Sequence, residues 1–82
     1  MNATPDAIER TVHDFLVLVD KLPDGFSVTT PLYAGGAELD SLDTAELSAT
    51  LEDAFGVDPF ATDRMPETLG DIIEFYRAAA PA

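Results

Sequence analysis

Apolar residues recur along this chain at helical spacing, and three stretches carry the pattern. Thr4-Pro5-Asp6 opens the first: a hydroxyl that can cap, a proline where a missing amide hydrogen costs nothing, and an acid in the first turn. From there Ile8, Val12, Phe15, Leu16 and Val19 fall on one face, which predicts a helix from Pro5 to Lys21, with Pro23-Asp24-Gly25 as its stop. On a wheel of 100° per residue, Leu47, Leu51 and Phe55 define the inner side of a second helix, with Thr44 and Ala54 between them. Leu69, Ile72, Ile73 and Tyr76 share a face of the last helix, Thr68 to Ala79, where Thr68 and Asp71 form a capping pair. Gly70 weakens its first turn by about 0.5–1 kcal/mol relative to alanine. Between Pro59 and Pro66, the run Phe60 to Met65 has room for one short helix.

The segment from Phe26 to Leu39 has no sustained period, yet it is too apolar for a linker. Phe26, Val28, Leu32, Tyr33 and Leu39 read as lids over a helical core, so an ordered loop is expected. Gly35-Gly36 supplies backbone freedom; with no Walker pattern or lysine following, it does not read as a phosphate cradle. The pattern predicts an all-α fold: a small four-helix bundle of three longer helices and one short one, with a long loop between the first two. Residues 1–82 form one domain in this reading.

Glu38 to Gly56 is the stretch around which the rest is organised. Asp40 is a good N-cap residue and Asp43 stands three further on, so the second helix should begin at Ser41 and leave its hydroxyl at an exposed terminus. Leu42 falls almost opposite the inner side, an exposed leucine that asks for a reason. With Ala45 and Ala49 it makes an outward strip flanked by Glu46, Glu52 and Asp53. An apolar centre with a charged edge suits transient docking, and it equally suits an ordinary solvated helix face. A helix N-terminus favours a phosphate by about 0.3–1 kcal/mol, and Asp40 and Asp43 oppose it by a comparable amount. A phosphate on Ser41 would therefore have to be installed by another protein.

Charge narrows the partners. Four basic residues against sixteen acidic ones give −12, which argues against nucleic acid or an anionic membrane and for a basic protein surface. Seven acids and no base lie between Glu38 and Asp58, so the local field has one sign too. The chain has no cysteine, so any thioester sulfur must come from a prosthetic group. No apolar run approaches the ~18 residues of a membrane span, and the start lacks a secretory pattern; a soluble, cytoplasmic monomer is expected. Catalysis finds little support. His13, the one histidine, sits on the flank of the first helix; Ser41 is in no G-x-S-x-G turn, and no calcium-loop pattern occurs. The acids fall on exposed faces where nothing would shift their pKa. Neither enzymatic activity nor a metal site is expected.

Asp40-Ser41-Leu42, continuing through Asp43-Thr44-Ala45-Glu46-Leu47 to Leu51-Glu52-Asp53-Ala54-Phe55-Gly56-Val57, resembles the 4′-phosphopantetheine attachment site and second helix of acyl carrier proteins. The resemblance extends over most of the chain. It implies that a phosphopantetheinyl transferase, using coenzyme A and a divalent metal, attaches the arm to Ser41, and that the arm's thiol carries acyl or aminoacyl groups as thioesters. It also implies that Asp40, Leu42, Asp43, Ala45, Glu46, Ala49, Glu52 and Asp53 face the transferase and later enzymes. Those would be an acyltransferase or adenylating ligase and a ketosynthase, acting in trans on a free-standing carrier. The lead-in Pro31-Leu32-Tyr33-Ala34-Gly35-Gly36-Ala37-Glu38-Leu39 departs from the short Gly-Ala lead-in of fatty-acid carriers. It is closer to carriers of polyketide, nonribosomal peptide or related antibiotic pathways. Ala45 and Ala49 are smaller than the family's usual outward residues, making the patch shallower. An unmodified acidic module that docks a basic partner through the second helix is the competing expectation.

Overall fold

The computed structural model describes residues 4–61 and 65–79. Within them the chain is helical: α1 spans Pro5–Leu18, α2 spans Ser41–Phe55 and α3 spans Leu69–Ala79. One 3-10 turn, Pro59–Ala61, follows α2, and the isolated bridge Pro31 to Thr68 is the sole β contact among the described residues. Where a four-helix bundle is expected, the described residues form three α-helices and a turn. Of the predicted short helix from Phe60 to Met65, the described part is the end of that turn, entered through Asp58, whose carboxylate accepts from the Phe60 amide at 2.8 Å as an N-cap does. Residues 62–64, which that helix would have included, lie outside the described residues.

Helix α1 packs on both α2 and α3, and the 3-10 turn bridges α2 and α3. Ile8, Val12, Phe15 and Leu16 from α1 meet Leu47 and Leu51 from α2 and Leu69, Ile72 and Tyr76 from α3 in one buried cluster. Phe55 is half-buried at its edge, its ring 5.3 Å from Tyr76 in an edge-to-face contact.

Helix α1 starts as its sequence requires, with the Ala7 amide donating to the Thr4 hydroxyl at 3.2 Å. It ends earlier than the predicted Lys21. Val19 caps it, and Asp20 turns into the left-handed region at φ 58°. The Asp20 amide then donates to Val17 O at 3.1 Å and the Lys21 amide to Leu16 O at 2.8 Å, the paired bonds of a Schellman closure.

The long loop is ordered, and backbone bonds as much as side chains hold it. Leu32 and Leu39 are buried as expected, joined by Ala37, while Phe26 and Tyr33 pack partly against the core. Val28, expected as a lid, is 44% exposed; its carbonyl does the work instead, accepting from the Gly70 amide at 2.9 Å. A second tether runs from the Leu32 amide to Glu67 O at 2.7 Å, so the loop is fastened to the start of α3 at two points. Close approach explains two glycines. A Cβ on Gly36 would stand 1.9 Å from Pro31 O, and one on Gly70 would stand 3.0 Å from Val28 O.

Candidate functional site

The start of α2 is built by its own acids. Asp40 is the N-cap: its carboxylate accepts from the Asp43 amide at 2.8 Å, and the Asp43 carboxylate accepts from the Asp40 amide at 3.3 Å. Reciprocal bonds of this kind satisfy two donors that a helix end otherwise leaves unmade. Asp40 O takes the Thr44 amide at 2.9 Å and the Thr44 hydroxyl at 2.8 Å, closing the first turn. Ser41 is the first residue inside it. Its side chain is exposed, and its hydroxyl makes no hydrogen bond among the described residues.

Leu42 follows, 66% exposed. Ala45, Glu46, Ala49, Glu52 and Asp53 are exposed as well, and Ala49, Thr50, Glu52 and Asp53 line a shallow, open depression on the outer side of α2. Leu47 and Leu51, on the opposite side, have no exposed surface. The outward strip is therefore a continuous face with a small apolar centre and acids at its edges.

Asp40 is exposed, but Asp43 is not. Its side chain is 13% exposed, because Lys21 comes across from the end of α1 to donate to Asp43 Oδ2. The same ammonium lies 3.8 Å from Asp40 Oδ2 and donates to Glu38 O at 3.4 Å. The hydrogen bond to Asp43 holds the Lys21 ammonium above the usual lysine range; partial burial takes from that rise, and the charges of Asp40, Asp43 and Glu38 add to it. The bond to Lys21 likewise holds the Asp43 carboxyl below the usual carboxylate range, against desolvation and with help from the Asp40 amide. Sequence reasoning missed Lys21. Its partner lies 22 residues away, and the local pattern presents it only as the end of a helix.

Two further groups bear on the site. The Tyr33 hydroxyl is buried with no hydrogen-bond partner. Burial pushes its pKa up, and the charge of Glu67 adds to the rise. At the other end of α2, the Ser48 hydroxyl donates to the Asp58 carboxylate, fastening the helix to the 3-10 turn. His13 is exposed, its Nδ1 3.5 Å from Asp14 on the same helix. Among the described residues no group of three or more histidines and carboxylates is placed to hold a metal ion, and no helix is long and apolar enough to cross a membrane.

Comparison with protein-family models, with curated proteins and with solved structures finds no match to this chain. The functional reading rests on the residues themselves.

Proposed function

We propose that this chain is an acyl or aminoacyl carrier, modified at Ser41 with 4′-phosphopantetheine from coenzyme A. The observation that carries the reading is the free, exposed Ser41 hydroxyl on the first turn of α2, beside a leucine that is 66% exposed. That oxygen is exposed and makes no hydrogen bond among the described residues that attachment would break, so the residues present fit the group. In the transfer, the Ser41 oxygen attacks phosphorus in the pyrophosphate of coenzyme A, adenosine bisphosphate leaves, and the hydroxyl proton passes to a base of the transferase. Once attached, the arm supplies a terminal thiol for thioester formation, which a chain without cysteine cannot supply itself.

The remaining roles belong to this chain's surface. Leu42, Ala45 and Ala49 offer a small apolar contact, while Asp40, Glu46, Glu52 and Asp53 hasten encounter with basic partners without demanding tight binding. A tethered intermediate then gains effective concentration at whichever enzyme is docked. Such partners would be a phosphopantetheinyl transferase, an enzyme that loads the thiol, and a condensing enzyme such as a ketosynthase. The chain itself transports rather than catalyses.

The test is intact mass after incubation with coenzyme A, a divalent metal and a broad-specificity transferase. The wild-type chain should gain about 340 Da and Ser41→Ala should gain nothing. No gain in the wild type would favour an unmodified acidic docking module using the same exposed face of α2. A gain that survives Ser41→Ala would place the attachment elsewhere.

A further inference from the structure

Lys21 is unusual among the bases of the described residues. Arg77 makes an exposed pair with Glu74 one turn earlier on its own helix, whereas Lys21 spans two elements. Its backbone is fixed before its side chain begins, because the amide of Lys21 closes the Schellman pair at the end of α1. From that fixed point the ammonium reaches the Asp40–Asp43 capping box, touching both carboxylates and the Glu38 carbonyl. Ser41 lies between the two acids so engaged.

We propose that Lys21 is a positioning residue for the modification of Ser41. Resting on the carrier reading above, the inference is that the clasp from α1 keeps the first turn of α2 formed and takes Asp43 out of the charge that a partner meets. Two carboxylates in one capping box repel each other, and the cation between them lets both serve as caps. With Lys21 removed, the turn that presents the hydroxyl is formed for a smaller fraction of the time. A transferase that recognises the formed turn then sees its affinity fall by that fraction. The recognisable exposed acids are accordingly Asp40 and those further along α2, with Asp43 spent inside the domain.

The test compares Lys21→Met, Lys21→Arg, Asp43→Asn and Lys21→Met combined with Asp43→Asn, each given coenzyme A and transferase and followed by intact mass. Lys21→Met should raise the KM for the carrier roughly threefold to tenfold with kcat little changed, and Lys21→Arg should restore most of the loss. The double variant should be no worse than the poorer of its single changes, since both remove one interaction. Amide hydrogen exchange in Lys21→Met should quicken at Asp43 and Thr44, whose amides are bonded to Asp40, and hold steady at Leu47 to Leu51. Exchange that quickens equally at both would mean that Lys21 serves the whole fold, and would overturn the proposal. A wild type that gains mass beside a Lys21→Met variant with unchanged KM would overturn it alone. A wild type that gains no mass would overturn the carrier reading, and this inference with it.

Discussion

Removing one oxygen, in Tyr76→Phe, tests how the end of α2 is held. Tyr76 is 2% exposed, and its hydroxyl donates to Val57 O at 2.6 Å, just past the Gly56 that caps α2. Its ring meets Phe55 at 5.3 Å and Phe75 at 5.2 Å, contacts that phenylalanine would keep. The substitution therefore isolates the hydrogen bond and leaves a carbonyl without its partner, which costs about 1–2 kcal/mol. The pH dependence is sharper. Burial, followed by the charges of Asp58 and Glu52, pushes the Tyr76 pKa from 10.0 to about 12. Because the folded value is the higher one, the stabilisation is present in full below pH 10 and is lost as pH rises from there through about 12. At about 1.4 kcal/mol per pH unit, that displacement is worth about 2–3 kcal/mol. Urea denaturation followed by circular dichroism between pH 7 and 11.5 would read both effects. The wild type should lose stability steeply above pH 10; Tyr76→Phe should start lower and fall less, keeping the slope that Tyr33, raised by burial, and Lys21, raised by its bond to Asp43, contribute. Parallel curves for the two proteins would refute the assignment of the alkaline loss to Tyr76.

Two other substitutions probe the ends of the helices and the charged face. Asp20 holds a left-handed backbone at φ 58° and places an acid beyond the C-terminus of α1, so Asp20→Gly should stabilise the domain by about 1 kcal/mol in the same denaturation assay. Glu46→Lys reverses an exposed charge on α2; stopped-flow association with a modifying enzyme should slow most at low ionic strength, and an equal slowing at all salt concentrations would mean that Glu46 steers nothing.

The parts of this structure that the sequence made legible are those whose cause is local. Asp40 and Asp43 stand three apart, and that spacing alone predicts where α2 begins and that Ser41 faces outward. Leu47 and Leu51 follow from helical phase, and so does the exposure of Leu42. The parts that were not legible depend on residues distant in sequence. Lys21 meets Asp43 only because α1 stops at Leu18 and turns through Asp20, a residue whose preference for that conformation is weak. Gly36 and Gly70 read as sources of freedom or weakness; at Gly36 another stretch of backbone comes too near for a Cβ, and at Gly70 it comes close enough to make one tight. Val28 was legible as apolar, yet the group that matters is its carbonyl, which every residue has. Hydrogen bonds of this sort leave no mark on hydrophobic periodicity. The turn at Pro59–Ala61, by contrast, has a local cause, since Asp58 accepts from the Phe60 amide two residues on.

The two tethers between the long loop and the start of α3 impose an order of events. Leu32 pairs with Glu67, and Val28 pairs with Gly70, so each bond closes across roughly half of the chain. During synthesis Ser41 emerges before those partners do, and until then the segment leading to it has only its own bonds, such as Leu39 N to Leu32 O, and its contacts with α1 and α2 to hold it. The segment that leads into α2 is thus fastened at both points only once the start of α3 is present, and these two long closures carry a larger entropic cost than the short bonds within the loop.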